Sequence, residues 1–262
     1  MIVFAVTSRV LRLAKYSVFL LSGLSGLVDA QALPQVPDTL AQRLLACTAC
    51  HGKDGRAASD GYYPRIAGKP EGYLFNQLNN FRDGQRTYPL MTYMVSHLSQ
   101  PYLQEIAQYF STQHPPYAAP QKTEVSSAVL ERGRVLVQQG DAVQKLPACV
   151  SCHGEKMTGV APFIPGLLGL PRDYIVAQLG AWQTGSRHAQ APDCMQQIAK
   201  QILPQDIAAV SAWLAAQTMP VDPIAVSARE HNQYLSTGLH LANSEPKQNS
   251  KLRLPITCGS VW

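Results

Sequence analysis

The sequence predicts an all-α fold built from two tandem copies of one small domain. Three observations carry this reading. Apolar residues recur at the 3.6-residue spacing of amphipathic helices in several segments. No segment sustains the period-2 alternation of a half-buried strand. The two halves of the 262-residue chain also align with each other over roughly 70 residues each, which marks an internal duplication.

The duplication is anchored by two C-x-x-C-H pentapeptides, Cys47-Thr48-Ala49-Cys50-His51 and Cys149-Val150-Ser151-Cys152-His153, 102 residues apart. At an offset of 101, Gly68 pairs with Gly169, Pro70 with Pro171, Tyr73 with Tyr174, and Gln77-Leu78 with Gln178-Leu179. Phe81 then pairs with Trp182, Gly84 with Gly185 and Arg86 with Arg187. At an offset of 104, Met91 pairs with Met195, Leu98 with Ile202, Ile106 with Val210 and Phe110 with Leu214.

Taken in chain order, residues 1–30 read as a secretory signal. Arg9, Arg12 and Lys15 form a basic region, and Tyr16 to Val28 is an apolar stretch short for a bilayer span. Small residues at Ala30 and Ala32 offer cleavage points, and an uncleaved anchor is the rival reading. The first domain follows at 33–114. Its helices are expected from Thr39 to Cys47, Glu71 to Arg82 (closed by Gly84) and Gln100 to Thr112, the last with Ser99 as N-cap. Residues 115–120 form a Pro-rich linker in which no helix can run. The second domain, 121–218, repeats the pattern with helices from Ser127 to Gln138, Arg172 to Gln183 and Gln205 to Gln217. Residues 219–262 are an added tail, polar and dotted with proline, with a mobile stretch expected from Asn243 to Ser250.

Composition agrees with a compact fold, at 46% hydrophobic and 15% charged residues. The net charge of +5 falls to +3 without residues 1–30, a field too weak to suggest nucleic-acid binding.

The motifs supply the chemistry. Two cysteines three apart lie on one face of a helical turn, where their thiols add across the vinyl groups of a haem, and the adjacent His becomes an axial iron ligand. His51 and His153 are therefore the expected proximal ligands, and Cys47, Cys50, Cys149 and Cys152 the attachment points of two covalent haem c groups. Thioether sulfur is a soft ligand that favours ferrous iron and suits electron transfer. In the first half Met91 and Met94 are the candidates for the distal position. The repeat register selects Met91, because Met195 is its partner and Ile198 stands opposite Met94. Carbonyls near Pro64 and Pro165 are expected to accept the Nδ1–H of the proximal histidines. Arg86 and Arg187 read either as partners of haem propionates or as solvated surface charges. Tyr73 and Tyr174 are expected to pack helix against haem. His97, His114, His188, His231 and His240 read as surface or loop residues.

On these residues the chain resembles the dihaem cytochrome c4 family. The resemblance covers about 180 residues, from the paired C-x-x-C-H motifs through the Tyr-x-x-x-Gln-Leu helices to the Met loops. It implies two class I cytochrome c domains related by a pseudo-twofold axis, with ligation by His51/Met91 and His153/Met195. It also implies a periplasmic electron carrier, not an enzyme, that serves a terminal oxidase, a quinol-oxidising complex or a periplasmic dehydrogenase. Membrane association would arise only through an uncleaved signal or a membrane-bound partner. The alternative function is the cytochrome subunit of a periplasmic dehydrogenase complex, which the extra tail favours. A dihaem peroxidase is disfavoured because paired Met ligands leave no open iron position.

Two features depart from the pattern. Leu203 stands where the first repeat has the capping Ser99. Cys194 and Cys258 are two spare thiols in an expected oxidising compartment, either bridged so that the tail is clipped over the second Met loop, or left unpaired or joined to a partner.

Overall fold

A computed structural model describes residues 36–58, 62–237 and 254–259. The expected signal at 1–30, His240 and the stretch 243–250 lie outside the described residues. Packing divides the chain into a short N-terminal unit, Met1–Gln42, and one compact unit, Arg43–Trp262, which contains both repeats. No helix among the described residues is long and apolar enough to cross a membrane.

The element order is α1 (Leu40–Arg43), α2 (Leu45–His51), a 3-10 turn (Lys53–Gly55), α3 (Glu71–Arg82), α4 (Pro89–Val95) and α5 (Gln100–Ser111). The second repeat follows with α6 (Ser127–Gln138), α7 (Val150–His153), β1 (Gly159–Val160), β2 (Ile164–Pro165), α8 (Arg172–Thr184), α9 (Cys194–Gln201) and α10 (Pro204–Ala215). A last helix, α11 (Ala228–Thr237), lies in the tail. Among the described residues the fold is all-α apart from β1 and β2, an antiparallel pair of two residues each.

Local chemistry explains most helix ends. Ser99 caps α5 by accepting the Tyr102 N–H at 3.4 Å, and Ser126 caps α6 by accepting that of Val129 at 3.4 Å. Leu203 leaves the start of α10 without a side-chain cap, as its apolar side chain requires. Gly84 and Gly185, at φ 75 and 78, follow the ends of α3 and α8 in the left-handed conformation that glycine adopts without strain.

Three expectations need correction. The first helix does not run unbroken from Thr39 to Cys47: it turns at Leu44, which is buried, and restarts to carry the whole motif to His51. The two Met loops are short helices, α4 and α9. The tail, read from its sequence only as polar and dotted with proline, contains the helix α11. Helices of seven to ten residues give too few turns for a periodic signature.

Each repeat buries its own apolar layer. In the first, α3 and α5 pack around Leu74, Phe81, Leu103, Ile106 and Phe110. In the second, α6 crosses α10 at Gly133, where a Cβ would collide with the Ala209 carbonyl oxygen. The segment after α5 is fastened to the first repeat. Arg65, 4% exposed, donates to the carbonyls of Pro115 and Pro116 at 2.6 and 3.1 Å, and its guanidinium stacks on Tyr117.

Candidate functional site

Both C-x-x-C-H motifs end their helices on a buried imidazole. His51 Nδ1 lies 2.8 Å from the Pro64 carbonyl oxygen, and His153 Nδ1 lies 2.7 Å from that of Pro165. A carbonyl only accepts, so each Nδ1 carries the proton and each Nε2 keeps a free lone pair, the state in which imidazole binds a metal. Burial favours the neutral ring. It pushes His51 below the ordinary histidine value, and it pushes His153 to about 4, helped by the nearby charges of Lys69 and His231. The four motif cysteines are unpaired and half-buried. Burial raises the thiols of Cys149 and Cys152 to about 11 and 12, so they stay protonated. The local parts for thioether attachment and histidine ligation are therefore present in both repeats.

Met91 sits on α4, which packs against α3, and Met195 sits on α9, which packs against α8. Both are half-buried, as is Met94 one turn after Met91. Met195 and Cys149 pack against the same apolar cluster of the second repeat. Asp193 fixes the start of α9 by accepting the N–H groups of Gln196 at 3.0 Å and Ala189 at 2.7 Å.

The repeats meet at Arg86 and Arg187, which are neither solvated nor exposed. They are 9% and 4% exposed and face each other across an antiparallel bridge. Arg86 donates to Gln77 and Gln178 at 2.9 and 2.6 Å, and Arg187 to Gln178 and Gln77 at 2.7 and 2.9 Å. Arg86 lies over Phe81 and Arg187 over Trp182, with ring-centroid distances of 4.5 and 3.8 Å. Repeat partners thus make equivalent contacts about a local pseudo-twofold axis. Tyr174 joins this network, accepting from Arg86 at 3.1 Å. Burial raises its phenol, but the two guanidiniums outweigh that and hold it below the ordinary tyrosine value. Burial, aided by Arg86, pushes Arg187 down to about 10.

Two features of this junction fit the carboxylates that a haem carries. Among the described residues the two guanidiniums bond only to neutral oxygens, which leaves their charge uncompensated there. The Trp182 Nε1–H is buried without an acceptor among the described residues. Residues with no role assigned from sequence also join the two repeats. Gln77 and Gln178 entered the alignment only as repeat partners. Lys69, 5% exposed, reaches across to donate to the Gly166 carbonyl at 2.7 Å, one residue beyond Pro165.

The second repeat has a further layer. Cys194 and Cys258 form a disulfide. His231 is not a surface residue: it is 1% exposed, and its Nε2 lies 2.9 Å from the Ser151 carbonyl oxygen inside the second motif. The sequence does carry a signal for α11. Ser227 and Glu230 form a capping box, Ser227 N–H donating to Glu230 Oε2 at 2.8 Å and Glu230 N–H to Ser227 Oγ at 3.2 Å.

Comparison with known proteins agrees with this geometry. A cytochrome c family model matches residues 131–218. A thiosulfate dehydrogenase electron acceptor of Thiomonas intermedia is 37% identical over 71% of this chain and 84% of its own length. Cytochrome c4 of Pseudomonas aeruginosa is 34% identical over 76% of this chain and 95% of its own length. Among solved structures, reduced cytochrome c4 from Pseudomonas stutzeri superposes with a TM-score of 0.59 and 29% identity, covering 68% of this chain and 96% of that one. The thiosulfate dehydrogenase TsdBA of Marichromatium purpuratum matches with a TM-score of 0.59 and 32% identity, over 66% of this chain but only 36% of that longer chain.

Fold, motifs and relatives together define a c-type cytochrome for electron transfer, with covalently bound haem c in tandem domains. The chain belongs to the dihaem cytochrome c4 family.

Proposed function

We propose that this protein is a non-catalytic periplasmic carrier whose two irons are held by His51 and Met91 in domain 33–114, and by His153 and Met195 in domain 121–218. The observation that carries the reading is the repeated proximal arrangement: a buried neutral imidazole, its Nδ1–H held by a proline carbonyl, in each half. Haem iron, when bound, supplies the one-electron chemistry. The protein's part is to keep the imidazole lone pair aimed, to place a thioether on the helix of each distal side, and to exclude water with the apolar layers around α3 and α8. Two buried guanidiniums between the repeats offset carboxylate charge there. The disulfide supports export, since such bonds persist in oxidising compartments.

A second reading is favoured by the relatives named as thiosulfate dehydrogenase electron acceptors. In that reading the chain is the cytochrome partner of a periplasmic dehydrogenase, and it passes the electrons on toward a terminal oxidase or another respiratory complex. Co-purification with a larger dehydrogenase subunit distinguishes this from a freely diffusing carrier.

A redox titration of the purified protein with optical spectra tests the whole proposal. Two haems per chain, both with the weak far-red band of iron–thioether bonding, support it. A single haem, or ready carbon monoxide uptake at either centre, overturns it.

A further inference from the structure

The tail is an addition to the repeated unit, and it meets the second centre on two opposite sides. On the proximal side Val226 extends the small hairpin. Its N–H donates to the Gly159 carbonyl at 3.0 Å, and its carbonyl accepts from the Ala161 N–H at 2.8 Å. That hairpin includes Pro165, whose carbonyl holds His153. One turn into α11, His231 donates from Nε2 to the Ser151 carbonyl. Ser151 belongs to the single-turn helix α7, whose last carbonyls have no partner within the helix, so a donor from outside satisfies an otherwise orphaned acceptor. Among the described residues His231 Nδ1 is buried with no hydrogen-bond partner, so the bond to Ser151 is the ring's one hydrogen bond there. On the distal side Cys258 is bonded to Cys194, the residue before Met195. Gly259 N–H donates to the Pro192 carbonyl at 2.9 Å, in an approach so close that a Cβ at 259 would collide with the Ala191 carbonyl oxygen.

Among the described residues the first centre has no equivalent. Leu90 stands at the repeat position of Cys194 and is 44% exposed, and Ala49 stands at that of Ser151 and is exposed.

We propose that two described stretches of the tail, 224–237 and 254–259, act as a strap that fixes both axial ligands of the second centre, with His231 as the positioning residue on the proximal side and the Cys194–Cys258 bridge on the distal side. The strap makes the two centres kinetically unequal. An outside ligand must wait for a methionine to leave the iron, and the bridged α9 releases Met195 more slowly than the unbridged α4 releases Met91. This rests on the ligation proposed above.

The test uses the full-length ferric holoprotein and follows imidazole displacing the far-red band. Met91→Ala, which abolishes the first-centre phase, assigns the two phases. Wild type is expected to show a second-centre phase at least about tenfold slower than the first. Cys194→Ser combined with Cys258→Ser speeds the second phase about tenfold and leaves the first in place. His231→Leu moves the midpoint potential of the second haem alone, and His231→Gln, which keeps a side-chain N–H donor, restores it. Equal phases in wild type, or no selective change in either variant, overturn the strap while the ligation stands. A wild-type protein with no far-red band at one centre overturns the ligation itself, and the strap with it. Counting two haems in each variant shows that the variants have assembled.

Discussion

Arg86 and Arg187 lie face to face across the junction of the two repeats, and each guanidinium bonds to the glutamine of its own repeat and to that of the other. Two like charges buried this close repel and cost desolvation, so the arrangement calls for anionic partners. The carboxylates of the two haems are groups of the right charge. A cation near an iron disfavours the extra positive charge of the ferric state. Arg86→Gln and Arg187→Gln are therefore expected to lower the midpoint potential of at least one haem, as read by a redox titration. Unchanged potentials in both variants would assign the pair a packing role only.

The distal ligands are testable one at a time. Met91→Ala and Met195→Ala are each expected to remove about half of the far-red band, because in the proposed ligation each iron contributes one iron–thioether bond. An unchanged band in Met91→Ala would transfer the role to Met94, which lies on the same helix.

Lys69 gives a pH dependence of known sign. Burial, with a smaller push from Arg65, lowers its ammonium to about 7 in the fold, against about 10.4 in an unfolded chain. Between these values the unfolded chain holds more protons, so stability rises with pH. The gain is complete above about 10.4 and is gone once the pH has fallen through about 7. Lys69→Met should lack this rise. Comparing the denaturant midpoints of the two proteins at pH 7 and at about pH 9.5 reads it directly.

The second repeat carries an acid-sensitive tie. Arg132 of α6 donates to both carboxylate oxygens of the buried Asp206 on α10 at 2.8 Å. This hydrogen-bonded pairing holds Asp206 below the ordinary carboxylate value. The stabilisation is full above the unfolded value of about 3.9 and is lost as the pH falls through the lower folded value. Arg132→Leu is expected to cost roughly 1–3 kcal/mol at neutral pH by stripping a buried carboxylate of two donors. In urea melts the difference from wild type should shrink on acidification.

Much of the fold was legible because the signals are local. Glu71–Arg82 and Ser127–Gln138 run between the bounds their pattern predicts, and Ser99 caps its helix. The proline carbonyls that hold His51 and His153 were also foreseeable, because each lies about a dozen residues along the chain. Other features were not legible. Helices α4 and α9 are too short to show a period. The buried face of α11 is built from His231 and Leu235, and a histidine in the core does not register as apolar. Nothing in the chain near Arg86 says whether it meets water or a second arginine.

The sequence by itself determined what this protein carries and how often. The cysteines and histidine of each motif are adjacent in the chain, so one helical turn assembles them in any copy of the repeat. Tertiary structure decided how the two copies differ and how they meet. The Arg86–Gln178, Lys69–Gly166 and His231–Ser151 contacts join residues 92, 97 and 80 positions apart. Such contacts depend on where packed helices come to rest, a matter of shape and burial that no local spacing encodes.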